Sequence, residues 1–154
     1  MTPAMSNIPD IAEADVSYEE KGTWAYVVAG VAVFGGYVAW LLGAADGGPL
    51  VEVSYQRPLV TAIVVSVVAT VVGRVLIEVV RPSESTRPDV RDKEVSRFGD
   101  YVGGTVLSIL GAGVLALAIA DADTFWIAQA LYAAYVASMV ASSVTKIVAY
   151  RRGL

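Results

Sequence analysis

Long stretches almost free of charge alternate along this chain with short polar segments. Four apolar runs, Gly22 to Ala44, Pro58 to Val80, Tyr101 to Ala120 and Thr124 to Thr145, take up most of its 154 residues. A hydrocarbon core about 30 Å thick is crossed by roughly 20 helical residues at about 1.5 Å of rise each, and every run reaches that length. Helices of a water-soluble bundle keep a polar face, whereas these runs are apolar nearly all round. The segment Ile63 to Val72 is β-branched enough for a strand. A lipid-exposed segment must pair its own amides and carbonyls, however, and a helix does so locally. The pattern predicts an all-α fold, a four-transmembrane-helix bundle. Its helices fall at about 22–44, 58–80, 89–120 (including an extension beyond the membrane) and 124–150. Residues 22–154 form one domain behind an acidic arm at 1–21.

Composition agrees, with hydrophobic residues at 56% against a globular norm of about 45 to 50%. Cysteine and histidine are both absent. That excludes disulfide exchange, thiol nucleophiles, zinc sites built on His or Cys, histidine-ligated haem and every triad with an imidazole base. No catalytic, metal or cofactor-binding residue can be nominated, and the expectation is a protein without enzymatic activity or cofactor. A net charge of -4 and an acidic arm argue against nucleic acid as a partner. The arm carries Asp10, Glu13, Asp15, Glu19 and Glu20 before Lys21, the wrong sign for a signal-peptide n-region. It reads as a mobile tail, or alternatively as an acidic docking segment that orders on a partner, ahead of a retained first helix.

Basic residues set the orientation. With both termini in the cytoplasm, Lys21, the group Arg81, Arg87, Arg91, Lys93 and Arg97, and the group Lys146, Arg151 and Arg152 share that side. Arg57 alone faces the other side, and Arg74 lies within the second run. The chain is therefore expected in the cytoplasmic cell membrane with both ends inside. Trp24 and Tyr26 then sit near the inner interface, and Tyr37, Trp40, Phe125 and Trp126 near the outer one, as interfacial aromatics do.

Asp121, Ala122 and Asp123 alone separate the third and fourth runs, which makes these antiparallel neighbours. Asp123 is placed to cap the fourth helix; a calcium site on Asp121 and Asp123 would want more oxygens than the two supply. The outer connection turns at Asp46, Gly47, Gly48 and Pro49 and continues as LVEVSYQ, an alternation that suggests an extended or interfacial piece. On the inner side, Pro82 and Pro88 break the chain before DVRDKEVSRFGD. Asp89 with Asp92 resembles a capping pair and Asp89 with Lys93 a favourable i,i+4 contact. Asp89, Arg91, Asp92 and Arg97 are candidates for a cytoplasmic contact surface, with an ordinary solvated face as the simpler reading.

In lipid, helices associate by close packing, so small residues at every fourth position mark contact faces. Such rows are Gly104, Ser108, Ala112, Ala116 and Ala120 in the third run, Ala130, Ala134, Ser138 and Ser142 in the fourth, and Gly35, Ala39 and Gly43 in the first. Internal packing is the plain expectation; one row serving a homo-oligomer is the sharper one. The second run carries Ala62, Ser66, Thr70, Arg74 and Glu78, increasingly polar toward the inner side. A charge inside a membrane helix is a functional candidate. Arg74, Glu78, Asp100 and Lys146 are predicted at one inner level, where they would form an ionic cluster that Tyr101, Tyr132 and Tyr135 could line. The plain alternative is that Arg74 snorkels to the headgroups and pairs with Glu78.

The segments VRDKEVSRFGDYVG, FWIAQALY and SSVTKIVAYRRG, spread over Asp89 to Gly153, resemble a family of small prokaryotic multi-pass membrane proteins of unknown function. The matching positions are Asp89, Arg91, Asp92, Gly99, Asp100, Phe125, Trp126, Tyr132, Lys146, Tyr150, Arg151 and Arg152, while Val90 stands where the pattern has a second acid. The resemblance implies a four-helix membrane protein and no particular activity. The leading expectation is a membrane scaffold or accessory protein whose partners are the bilayer and either a second copy or another membrane protein. The alternative is a small oligomeric transporter or channel built on Arg74 and Glu78; it lacks the first-helix glutamate of small multidrug transporters, since Gly22 to Ala44 holds no charge.

Overall fold

The computed structural model describes residues 18–80 and 90–152. Four helices account for nearly all of them: α1, Tyr18–Ala45; α2, Gln56–Val80; α3, Val90–Ile119; and α4, Thr124–Arg152. At 25 to 30 residues each, they run about 38 to 45 Å, and all four are long and apolar enough to cross a membrane. α1 starts four residues earlier than the apolar run implies and takes Tyr18 to Lys21 out of the acidic arm. Once a helix is nucleated, adding a Glu-Glu-Lys turn costs little, and acids suit its positive end. Residues 1–17 of the arm and Asp89 lie outside the described residues.

Each observed turn has a local cause. α1 ends where Asp46 (φ 43°) and Gly47 (φ 80°) enter the left-handed region, letting the Gly48 amide donate to the Ala45 carbonyl at 2.6 Å. LVEVSYQ is not an extended piece at its start, as its alternation suggested. Leu50–Glu52 form a 3-10 turn, in which the Glu52 and Val53 amides donate to the Pro49 and Leu50 carbonyls. Unpaired extended backbone would leave those groups unsatisfied. α3 closes with a Schellman pair, Ala122 donating to Leu117 at 3.0 Å and Asp121 (φ 53°) to Ala118 at 3.3 Å. Asp123 caps α4 as expected, its Oδ1 accepting from the Phe125 amide at 2.7 Å.

The helices do not close into a compact square. α3 packs along α4, α4 against α1, and α1 against α2, whereas α2 and α3 are not substantially in contact. The result is an open row in the order α2, α1, α4, α3. Where α3 meets α4 the backbones come close. A Cβ added at Gly103 would lie 2.8 Å from Ser142 Cβ and 3.1 Å from the Ser138 carbonyl oxygen, and the Ser138 hydroxyl donates to the Gly103 carbonyl at 2.8 Å.

The predicted rows fare differently. On α4, Ala134 is buried, with Ala130, Ser138 and Ser142 half-buried beside it, but on α3 every member from Gly104 to Ala120 is exposed. The face of α3 that meets α4 is instead Val95, Gly99 and Gly103, continued by half-buried Val106, Leu107, Gly111 and Val114. Gly35, Ala39 and Gly43 of α1 also face outward; its packed side is Gly30, Tyr37 and Leu41. Four-residue steps turn by about 40° each at 3.6 residues per turn, so a five-membered row sweeps too far round its helix to meet one straight partner. Contact faces mix steps of three and four.

Candidate functional site

Two polar centres stand at opposite ends of the row. At the end bearing the chain termini, the Lys146 ammonium donates to Asp100 Oδ1 at 2.8 Å, and the Ser142 hydroxyl approaches the same oxygen at 3.4 Å. Gly99 creates the room: its missing side chain lets Lys146 lie across α3. Asp100 is 67% exposed and Lys146 21%, so water screens the pair and its main effect is to fix the register of α3 on α4. Beside it, the Arg151 guanidinium lies 6.0 Å from the Trp24 ring centre, a cation–π distance that ties the start of α1 to the end of α4.

Two of the four residues predicted to form an ionic cluster are thus joined. Arg74 and Glu78 belong to α2, which packs on α1, and their side chains lie outside the described residues. Tyr101 is 72% exposed and Tyr135 56%, so neither lines a cavity with Asp100. In the candidate contact loop, Arg97 is exposed, the side chains of Arg91 and Asp92 lie outside the described residues, and so does Asp89. No cluster of metal-ligating side chains occurs among the described residues.

The other centre, at the end carrying the α1–α2 and α3–α4 connections, joins residues whose association no local pattern in the sequence announces. Tyr37, Leu41, Tyr55, Ala62, Phe125 and Tyr132 form a buried cluster. Tyr55 meets Phe125 edge-on with ring centres 5.0 Å apart, and Tyr132 lies 5.2 Å from Phe34 and 5.6 Å from Tyr37, in the offset geometries aromatic pairs prefer. Phe125, 1% exposed, is the most deeply buried large side chain described. Within the cluster the Gln129 amide donates to the Tyr37 hydroxyl at 2.8 Å. Gln129 is the one carboxamide in the four apolar runs, and the need to satisfy it in lipid was the signal that could have found this pairing. The Tyr132 hydroxyl is buried with no hydrogen-bond partner among the described residues.

Alongside, α1 and α2 line an open groove of about 480 Å³, with Arg57 among its lining residues. No protein-family model matches the chain, and neither a curated protein nor a solved structure does. The site is therefore read from its own geometry.

Proposed function

We propose that this chain is a membrane-embedded interaction protein, a scaffold or accessory subunit without catalytic activity, in the cytoplasmic membrane with both termini inside. One observation carries the reading: the row is open, and the face of α3 turned away from α4 presents Gly104, Ser108, Ala112 and Ala116 uncovered, with Ala120 exposed just past its end. Between lipid and protein, apolar area gives no preference, so association relies on backbones approaching closely over small residues. A second helix, from another copy or from a different membrane protein, finds that opportunity on α3. The polar contacts are spent on internal order: Lys146 on Asp100, Gln129 on Tyr37, Ser138 on Gly103. Orientation rests on the basic residues, nine of eleven falling on the side of the termini.

Purification in gentle detergent, followed by native mass spectrometry and co-purification from the source cell, tests the reading. A stable complex that Gly104→Val dissolves supports it. A monomer without partners refutes it, and substrate-dependent flux through reconstituted protein would transfer the argument to transport, with Arg74 and Glu78 as first targets. Because the chain has no cysteine, Ala122→Cys and Leu154→Cys report sidedness cleanly. An impermeant thiol reagent should label the first and spare the second in intact cells.

A further inference from the structure

We infer that the groove between α1 and α2 is a binding site for an anionic phospholipid, its phosphate on Arg57 and one acyl chain along the helices. The walls are apolar, with Val33 and Val65 below and the Tyr37 and Trp40 rings beside them. From Arg57 to Val65 is eight residues, about 12 Å along α2, so the groove descends from headgroup level into hydrocarbon. Its volume of about 480 Å³ falls within the roughly 300 to 1,000 Å³ of small-ligand sites. It is open on one side, as a slot filled laterally from a bilayer must be.

Charge selects the occupant. Arg57 is the one base assigned to the side with the α1–α2 and α3–α4 connections, and it forms no ion pair among the described residues. Its backbone carbonyl, not its guanidinium, is engaged, accepting from the Thr61 hydroxyl at 2.9 Å. The guanidinium fork remains open for two phosphate oxygens, and the positive end of the α2 dipole adds to the same field. A free phosphate would meet only the rim; an acyl chain gives the apolar walls a partner. The Gln129–Tyr37 hydrogen bond holds one wall in place before any lipid arrives.

The test is native mass spectrometry of the full-length protein titrated with dioleoylphosphatidylglycerol or with dioleoylphosphatidylcholine. Wild type should retain the anionic lipid about tenfold more tightly, as expected of a charge-assisted hydrogen-bonded contact. Arg57→Gln should bring the two lipids level, and Thr61→Trp, which fills the slot from an exposed position, should weaken retention of both. Each variant should keep the wild-type melting temperature within a few degrees, which separates loss of the site from loss of the fold. Equal retention of both lipids by wild type overturns the inference, as does an anionic preference that survives Arg57→Gln. So does displacement of the lipid by millimolar inorganic phosphate, which would mark a simple anion site.

Discussion

Replacing Gly103 by valine should open the α3–α4 interface. A Cβ there would sit 2.8 Å from Ser142 Cβ, whereas carbon atoms rest at about 3.5 to 4.0 Å. The helices must separate by roughly 1 Å at their closest point or twist to avoid it, and overpacking of this kind costs about 1 to 3 kcal/mol. Separation also stretches the Ser138–Gly103 hydrogen bond, worth about 0.6 kcal/mol between membrane helices. Valine's better helix propensity returns a few tenths of a kcal/mol, leaving a net loss of about 2 kcal/mol. The neighbouring Gly104 provides the control, because a Cβ there meets nothing within 4 Å, and Gly104→Val should change monomer stability by less than about 0.5 kcal/mol.

Unfolding in mixed micelles by titration with dodecyl sulfate, followed through tryptophan fluorescence, reads both variants on one scale. Equal losses for the two would refute the assigned face of α3, as would a Gly103→Val protein as stable as wild type. The same pair separates folding from the proposed assembly: Gly103→Val should weaken the chain itself, and Gly104→Val should act only on association with a second helix.

Removing the Tyr132 hydroxyl, which is buried without a partner among the described residues, should leave stability unchanged or raise it by up to about 1 kcal/mol; a loss of melting temperature in Tyr132→Phe would show that the hydroxyl is satisfied. Gln129→Leu should cost at most about 1 kcal/mol, because it strips Tyr37 of its donor but also removes a polar amide from lipid; a larger loss on thermal melting would count against that balance. Asp123→Ala should cost about 0.5 to 2 kcal/mol through loss of the α4 cap, seen as reduced amide-exchange protection in the first turn of α4. Asp100→Asn should cost less than about 1 kcal/mol and make stability less sensitive to salt, measured by melting at low and high ionic strength.

What the sequence made legible and what it hid divide along a physical line. Lipid imposes the same demand on every spanning residue, so the four helices are visible wherever twenty apolar residues run together, and Asp123 announces its cap because the cap is local. Which side of each helix meets another depends on residues far apart in the chain, and an alanine- and glycine-rich sequence offers several small-residue rows for each true interface. On α3 the expected row and the packed face differ by one position, Gly104 against Gly103. That single step turns the helix by about 100° and exchanges the face held inside the row for one left uncovered. The charges follow the same rule: Asp100 finds Lys146 because Gly99, on the packed face, clears the path, whereas Arg57, exposed at the start of α2, has no ion-pair partner among the described residues. The small residues that do not explain the internal packing are the ones left uncovered on α3, and the proposed association with a second helix rests on that uncovered face.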